Sequence, residues 1–320
     1  MTDHSEFACP ACKKEAAPAD GNFSCPSCGR SFPVVDGVYD FSGIGLTEET
    51  RKTVSQFGQS WEIFDRIEPY HEQQFLDWIS PLGKEIFRDK LVLEAGCGKG
   101  RHSFIVSSFG PKKLFSADLS EAVFIARRNV RGENCAFVRC DIKSLPFEEA
   151  MFDLVFSVGV LHHLDKPAEG LKELWRVLKP GGKLLLWVYA REGNGWILNF
   201  VNPLRKSVTS RIPAKTLRIL AFPLTTFLFL SLKILYAPLT KRGTRETSFL
   251  PYSSYLGAIS LFPFREIDSI VVDHLCPSVA YYLSRDEIEA LFSGLSSEKP
   301  DFRWHHKNSW TVIAVKGKAE

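Results

Sequence analysis

Short apolar runs alternate with segments of helical periodicity through the middle of this 320-residue chain. An apolar run of about four to eight residues, bounded by glycine or acidic positions, is typical of a strand buried on both faces. Five runs fit this description, at residues 91–94, 113–117, 136–140, 152–158 and 183–189. Helical spacing of apolar residues over 171–178 predicts a helix between the last two runs. The alternation favours an α/β fold with a mostly parallel sheet.

Helical periodicity also flanks this core. Residues from about 47 to 89 repeat apolar positions at helical spacing, which predicts helices ahead of the first strand. Near the other end, Ser284 followed by acidic residues predicts a helix over 284–292. Two further runs, 302–306 and 310–315, predict a final hairpin.

The segment from Arg205 to Arg245 has a different pattern. Its centre, 219–236, is dense in leucine and phenylalanine, and basic residues flank it at Arg205, Lys206, Arg211, Lys215, Arg218, Lys241, Arg242 and Arg245. Its length nearly allows a membrane span of about twenty apolar residues, but Pro223 and Lys233 count against one. Three interpretations stay open: a buried helical cap over a substrate site, an interfacial helix on anionic lipid, and a true span.

The first apolar run ends at Glu94 and leads into Gly96-Cys97-Gly98-Lys99-Gly100. Glycine tolerates positive φ and has no Cβ, so the backbone of such a turn can approach a ligand closely. Dinucleotide-binding loops have the spacing Gly-x-Gly-x-x-Gly, whereas the third glycine here comes one residue earlier. The turn therefore predicts a site for a small-molecule cofactor at the end of the first strand.

This turn resembles motif I of the class I S-adenosylmethionine-dependent methyltransferases of the type 11-like group. The resemblance implies a Rossmann-like, seven-stranded, mostly parallel sheet with an antiparallel last strand and a helical insertion after the fifth strand. It also implies S-adenosyl-L-methionine as cofactor, with Asp118 accepting the ribose hydroxyls, Asp141 bonding the adenine amino group and Ile142 packing on the ring. The cofactor-binding residues predicted in this way are Glu94, Gly96, Cys97, Gly98, Gly100, Asp118, Leu119, Asp141, Ile142 and Val158.

Two further sets of residues follow from the same resemblance. Segments upstream of motif I often fold over the cofactor, so the candidate lid residues are Phe57, Gln59, Trp61 and Tyr70. The alternative for this segment is an amphipathic helix packed on the sheet edge. His162 and His163 follow the fourth strand, where such enzymes place groups that face the methyl, and an imidazole can act as a base near neutral pH. The alternative is a loop histidine bonded to the backbone, which we expect for at least one of the two.

Four of the eight cysteines form two Cys-x-x-Cys pairs, Cys9 with Cys12 and Cys25 with Cys28. This spacing is typical of a closed, structural zinc site with four thiolate ligands, and two redox dithiols are the alternative. The module resembles the short zinc ribbon found beside methyltransferases (Trm112-like), with residues 32–39 as its closing hairpin. The other four, Cys97, Cys135, Cys140 and Cys276, have no such spacing.

Composition narrows the picture only a little. A hydrophobic share of 45% fits a globular protein with a real core, and a net charge of +3 gives no strong case for nucleic acid. The polar stretch Met1–Glu6 lacks the apolar core of a signal peptide, which favours a cytoplasmic location, with peripheral membrane attachment left open. The expected organisation is a zinc ribbon (1–45), a helical linker or lid (46–89), the cofactor-binding core (90–200), an apolar and basic helical insertion (201–260) and the C-terminal part of the methyltransferase domain (261–320).

The resemblance implies a methyltransferase, and the apolar insertion adds the expectation that it modifies O, N or C of a small, apolar or lipid-linked acceptor, with 205–245 as the roof of the acceptor site. The chain has neither an Asn/Asp-Pro-Pro-Tyr motif nor an evident cysteine pair for pyrimidine C5 chemistry. Two alternatives stay open. One is an rRNA or tRNA base methyltransferase that uses the ribbon to hold RNA, and the other is a non-catalytic adaptor that binds the cofactor.

Overall fold

The computed structural model of the protein describes residues 6–19, 21–43, 46–241, 250–295 and 299–317. Its core is a central β-sheet. The basic residues Arg242 and Arg245 and most of the polar N-terminus lie outside the described residues. The strands of the described residues are β1 (Ala17–Ala19), β2 (Asn22–Ser24), β3 (Ser31–Phe32), β4 (Val34–Val35), β5 (Val38–Asp40), β6 (Leu91–Ala95), β7 (Lys113–Asp118), β8 (Cys135–Arg139), β9 (Phe152–Val158), β10 (Leu178–Tyr189), β11 (Asp301–His305) and β12 (Ser309–Val315).

Seven strands form the expected Rossmann-like core, in the spatial order β11-β12-β10-β9-β6-β7-β8. The five strands from β10 to β8 are parallel, and the hairpin of β11 and β12 completes the sheet through β12, which pairs antiparallel with β10. All five apolar runs and the final hairpin are strands at the predicted places. The predicted sheet is therefore confirmed, and the carboxyl ends of β6, β7, β8 and β9 meet at one edge.

The ribbon extends this sheet instead of standing apart from it. Strand β5 pairs in parallel with β8, with Val38 opposite Phe137, and β4 pairs antiparallel with β5 as the outermost strand. A separate small sheet of β1, β2 and β3 carries the rest of the ribbon. The ring of Phe7 packs 5.8 Å from that of Phe147 and 6.1 Å from that of Phe115, inside the main core. The predicted boundary at residue 45 is thus crossed by a continuous sheet.

The helices of the described residues are α1 (Glu48–Ile63), α2 (Tyr70–Ile79), α3 (Arg101–Ser107), α4 (Ala122–Asn129), α5 (Pro167–Val177), α6 (Asn202–Ser207), α7 (Ala214–Ser231), α8 (Ala237–Lys241), α9 (Ser253–Ile259), α10 (Phe264–Leu275) and α11 (Arg285–Leu291). Helix α1 begins at Thr47, whose hydroxyl accepts the Thr50 amide at 3.1 Å. Helix α11 begins with the predicted cap, since Ser284 and Glu287 exchange side-chain and backbone hydrogen bonds.

The insertion after β10 is helical, as predicted. Helix α7 continues through a π-helical turn into α8, and the continuous helix Ala214–Lys241 is long and apolar enough, by length and composition alone, to cross a membrane. It packs instead against α10 and α1, where Leu217, Ala221 and Thr225 are buried. The insertion therefore rests on the outer side of the helices that cover the sheet edge.

Candidate cofactor and acceptor site

The glycine turn between β6 and α3 has no room for a side chain at Gly96 or Gly98. Gly96 has φ +87° and Gly98 has φ +51°, both in the left-handed region. A Cβ on Gly96 would lie 2.3 Å from Cγ2 of Val160, and one on Gly98 would lie 2.9 Å from Nε1 of Trp61. The turn is therefore enclosed between the loop after β9 and helix α1.

Asp118, at the end of β7, fixes the conformation of this turn. One carboxylate oxygen accepts the Gly98 amide at 2.7 Å, and the other accepts the amide and hydroxyl of Ser120 at 2.8 and 2.6 Å. Burial raises the pKa of Asp118, while these three donors act in the opposite direction. Asp118 thus lies beside the turn and faces the cavity described next.

A cavity of about 590 Å³ runs along this edge of the sheet. Eight of the ten predicted cofactor residues line it, namely Gly96, Cys97, Gly98, Asp118, Leu119, Asp141, Ile142 and Val158. Asp141 begins a short turn in which its side chain accepts the Lys143 amide at 2.9 Å, and burial raises its pKa. The structure therefore brings together residues that were predicted from four separate strand ends.

Glu94 and Gly100, the other two, lie behind the cavity and do not line it. Glu94 is 1% exposed beneath the turn, where it accepts the Ser103 hydroxyl and lies 3.2 Å from Nδ1 of His102. Burial raises the pKa of Glu94 to about 8. Gly100 lies just before α3 and packs against Ala126 of α4. Both support the turn from below, since the strand end and the helix start must pack closely there.

Three of the four candidate lid residues, Phe57, Trp61 and Tyr70, line the cavity. Gln59 does not, because it points away from the turn and accepts the Ala214 amide of α7 at 3.3 Å. Its place on the opposite side of α1 follows from the helical period, which separates positions two residues apart. Helix α1 therefore combines the two interpretations: one side covers the cavity and another packs on the insertion.

Lys99 connects the turn to the end of α1. Its Nζ donates to the carbonyl oxygens of Phe64 at 2.6 Å and Arg66 at 2.7 Å, and it lies 5.4 Å from the centre of the Trp61 ring. Burial, and then the neighbouring charge of Arg101, lower the pKa of Lys99 to about 7. The buried side chain of Lys99 thus joins the glycine turn to the end of α1. The sequence analysis did not single out this residue.

The two histidines after β9 have different surroundings. His162 is fully buried outside the cavity lining, against the ring of Tyr189 at 4.1 Å, and neither of its ring nitrogens has a hydrogen-bond partner among the described residues. His163 lines the cavity, and its Nδ1 lies 2.7 Å from the carbonyl oxygen of Val279. Burial lowers the pKa of His163 to about 4. Of the two residues predicted as a catalytic base, only His163 therefore lines the cavity.

Part of the cavity is lined by aromatic side chains, and we call this part the chamber. Its lining includes Trp78, Trp187, Tyr189, Tyr255 and Tyr282. The rings of the two tryptophans lie 5.0 Å apart, and Tyr189 stacks on Tyr282 at 5.3 Å. Sequence analysis missed Trp187 and Tyr189, although their place at the carboxyl end of the fifth strand was a usable signal.

The roof of the chamber comes from α9 and α10, with Ala258, Phe262 and Ile270 among its lining residues. None of the described residues from 205 to 241 lines the cavity, so the prediction that the segment 205–245 forms the roof is wrong. Helix α7 lies one layer further out, because its buried side packs on α10 instead of on the sheet edge.

Buried polar groups hold this roof. Glu266 of α10 accepts the Tyr70 hydroxyl at 3.2 Å and contacts Nε2 of His71 at 3.2 Å and Arg101 at 3.5 Å. Burial opposes its ionisation, but the His71 hydrogen bond and the Arg101 charge together lower the pKa of Glu266 to about 2. The carboxylate therefore ties α2, α3 and α10 together beside the cofactor turn.

Asp77 at the chamber rim joins α2 to the final hairpin. Its carboxylate lies 2.9 Å from Nε2 of His306 and 3.6 Å from Nε2 of His305. The hydrogen bond from His306 lowers the pKa of Asp77 despite partial burial. This contact closes the side of the chamber that faces away from the ribbon.

The four ribbon cysteines form a compact group, as predicted. Their sulfur atoms all lie within 4.8 Å of one another, with Cys9 to Cys28 at 3.6 Å and Cys12 to Cys25 at 3.5 Å. A tetrahedral site with Zn–S bonds of about 2.3 Å places its sulfurs about 3.8 Å apart. The donor set and the spacing therefore fit a zinc ion.

A family model matches the part of the chain that carries this site. Residues 93–186 match the family model described as a methyltransferase domain. The chain contains a class I methyltransferase domain. This stretch covers the strands from β6 to β10, which carry the predicted cofactor residues.

Several curated relatives match over similar lengths. A protein of Encephalitozoon cuniculi named as a methyltransferase is 41% identical over 105 residues, 32% of this chain and 46% of the relative. The tRNA U34 carboxymethyltransferase of Methylococcus capsulatus is 33% identical over 161 residues, 49% of this chain and 43% of the relative. The probable tRNA methyltransferase 9B of Mus musculus is 31% identical over 138 residues, 41% of this chain and 29% of the relative.

The chain spans less than half the length of each of these relatives. Among solved structures, a complex of the Haloferax volcanii Trm112 methyltransferase activator with a methyltransferase has a TM-score of 0.48 at 15% identity, covering 84% of this chain and 99% of that one.

The buried Glu94 makes stability depend on pH. Its pKa is about 8 in the fold against an ordinary value of 4.5, so the native state holds a proton that the unfolded state has lost between these values. The free energy of unfolding should therefore fall as pH rises from about 5 to about 8, by an amount on the order of 2–4 kcal/mol. Urea denaturation at a series of pH values measures this slope.

Glu94→Gln should flatten the slope in that window, because the amide cannot ionise. The control is Glu148→Gln, which changes an exposed residue of the same type. An unchanged slope in Glu94→Gln would show that this carboxyl is already ionised in the native protein.

Proposed function

We propose that the chain transfers the methyl group of S-adenosylmethionine to an acceptor held in the aromatic chamber. One observation carries this proposal: a single cavity joins the glycine turn and both aspartates to the chamber. S-adenosylmethionine supplies a sulfonium methyl that is already activated. The protein then has to bind the cofactor, orient the acceptor and exclude water.

The residues at the strand ends fit this cofactor. Asp118 offers carboxylate oxygens to the ribose hydroxyls, and Asp141 offers one to the adenine amino group, with Ile142 beneath the ring. Because Gly96 and Gly98 have no Cβ, the backbone of the turn can approach the amino-acid tail of the cofactor closely. Trp61 covers the turn from the side of α1.

His163 is the residue best placed to take a proton from the acceptor. A carbonyl oxygen only accepts, so the contact with Val279 requires the proton on Nδ1 and leaves Nε2 free of one. With a pKa of about 4, the ring is neutral at physiological pH and can act as a general base.

The curated relatives favour an RNA base over a lipid-linked molecule as the acceptor, because two of those described above are named for tRNA. The chamber suits this choice, since an unstacked base binds between aromatic side chains. A tRNA base is therefore our first candidate for the acceptor.

A small apolar or lipid-linked acceptor is the second candidate, and a specific feature favours it. Leu261 is 50% exposed on the outer surface of the insertion and also lines the chamber. The chamber wall thus reaches an apolar part of the surface, through which an apolar molecule could enter without crossing water.

We also infer that Cys9, Cys12, Cys25 and Cys28 hold a structural zinc ion that supports the cofactor site from the side. The Ser144 hydroxyl donates to the Pro10 carbonyl at 2.7 Å, within the turn that follows Asp141. Lys13 bonds both the Leu145 carbonyl and Glu173. The ribbon therefore braces the turn that carries Asp141, and its loss should reach the cofactor.

Asp118→Ala should weaken S-adenosylmethionine binding by about 1–3 kcal/mol, because the ribose hydroxyls lose a charged acceptor and the Gly98 amide loses its partner. Calorimetry of the full chain measures the change, with exposed Asp301→Ala as the matched control. Equal affinity in both variants, or tighter binding of NAD than of S-adenosylmethionine by the wild type, contradicts the proposed cofactor site.

The acceptor can be identified by transfer of a labelled methyl group from S-adenosylmethionine to unmodified tRNA and, in parallel, to a membrane lipid extract. Label in tRNA supports the first candidate and label in lipid the second.

His163→Asn should lower kcat by about 10²–10⁴-fold with cofactor affinity unchanged, because only proton removal is lost. Activity that survives this change intact would remove His163 as the base.

Metal analysis should find one zinc per chain, and Cys28→Ser should release it. We expect this variant also to bind S-adenosylmethionine less tightly, because the ribbon contacts next to Asp141 loosen. Ser27→Ala, an exposed change in the same Cys-x-x-Cys pair, is the control. A metal-free variant that binds S-adenosylmethionine as tightly as the wild type would show that the ribbon does not support the cofactor site.

A further inference from the structure

The helical insertion exposes an unusual amount of apolar surface. Seventeen large hydrophobic side chains of the described residues are exposed, and thirteen of them lie between 196 and 261. We call these thirteen the apolar face: Trp196, Phe200, Leu204, Val208, Ile219, Leu220, Phe222, Leu224, Phe227, Leu230, Ile234, Leu235 and Leu261. Phe227 is 71% exposed and Ile219 73%. A soluble monomer rarely leaves such a patch uncovered.

The continuous helix of α7 and its π-helical extension is fixed to the domain on the side opposite the apolar face. Arg218 forms an ion pair of 2.6 Å with Asp268, a fully buried carboxylate of α10. Lys233 donates to the carbonyl oxygens of Ser260 and Phe262 at 2.7 and 2.8 Å. These contacts lie along α7 and its π-helical extension, and a transmembrane orientation would break them. The helix is therefore one-sided, which is the pattern of an interfacial helix.

The charge of this segment has a single sign. From 193 to 245 the chain has no aspartate or glutamate and nine lysine or arginine residues. The whole chain has a net charge of +3, so the remainder carries 3 − 9 = −6. Lys206 and Arg211 precede α7, and Lys241 ends α8; all three are exposed, and none has an ion-pair partner among the described residues. Exposed basic side chains thus flank the continuous helix of α7 and α8 at both of its ends.

We propose that the apolar face docks on an anionic lipid bilayer, with α7 lying in the plane of the interface. Aromatic and aliphatic side chains would enter the acyl boundary, and the basic ends would contact the headgroups. An RNA surface would match the charge but not the exposed phenylalanines and leucines. A second copy would match the apolar side chains but would bring two basic segments together with no acid between them.

Docking in this way would place the chamber next to the membrane. Leu261 belongs to the apolar face and lines the chamber, and it also lines a second cavity of about 370 Å³ with Lys233 and Lys241. Docking itself does not depend on which acceptor is methylated. It goes beyond the proposed function by stating where the enzyme works.

The test is co-sedimentation of the full-length protein with vesicles of phosphatidylcholine alone or with one third phosphatidylglycerol. We expect binding to the anionic vesicles to exceed binding to the neutral ones by roughly tenfold at low salt, and to fall as salt is added. The double variant Phe227→Gln and Ile234→Gln should lose roughly tenfold in affinity for the anionic vesicles. These neutral changes at exposed sites leave the helix charge and its buried side intact.

Phe104→Gln is the matched control, since Phe104 is 49% exposed on α3, outside the apolar face. Lys206→Gln with Arg211→Gln should weaken binding only to the anionic vesicles. All variants should bind S-adenosylmethionine like the wild type, which shows that they are folded and separates this test from the proposed function.

Three results would overturn the proposal. The first is no binding of the wild type to anionic vesicles. The second is a dimer in light scattering that the double glutamine variant dissociates, which assigns the face to a second copy. The third is tRNA binding that the double glutamine variant abolishes while vesicle binding is unchanged, which assigns the face to RNA.

Discussion

The close packing around the turn from Gly96 to Gly100 is the constraint on which the site depends. The turn has room only for hydrogen atoms where Val160 and Trp61 approach it. Asp118 then bonds the Gly98 amide, and Lys99 bonds the end of α1. The glycine turn, Asp118 and helix α1 are therefore one packed unit, so a change at any of them reaches the others.

The sheet extends this unit in two directions. On one side, β5 of the ribbon pairs with β8, so the cysteine cluster braces the turn that carries Asp141. On the other side, the final hairpin reaches Asp77 of α2 and closes the chamber. The small ribbon can in this way support a binding site that contains none of its own residues. A zinc ion held by all four thiolates would have no open position, so the role we propose for it is structural.

Local patterns made much of this predictable. Strand ends, the glycine turn, Asp118 and Asp141 each follow from a few neighbouring residues, and the cysteine spacing is equally local. The chamber as a whole was not predictable in this way. A strand end marks Trp187, but the roof residues of α9 and α10 meet it only through tertiary packing. The place of 205–245 was misjudged for the same reason: its composition shows an apolar helix but not which side is buried. His162 and His163 are adjacent in sequence, but only His163 lines the cavity, whereas His162 packs against Tyr189 outside the lining.

The central claim is that the strand ends and the chamber form one site for S-adenosylmethionine and its acceptor. The most direct measurement is a crystal structure of the protein with S-adenosylhomocysteine. The account predicts the ribose at Asp118, the adenine over Ile142 with its amino group at Asp141, and the sulfur open to the chamber near His163. A ligand bound elsewhere, or one whose sulfur is sealed off from the chamber, would contradict the account.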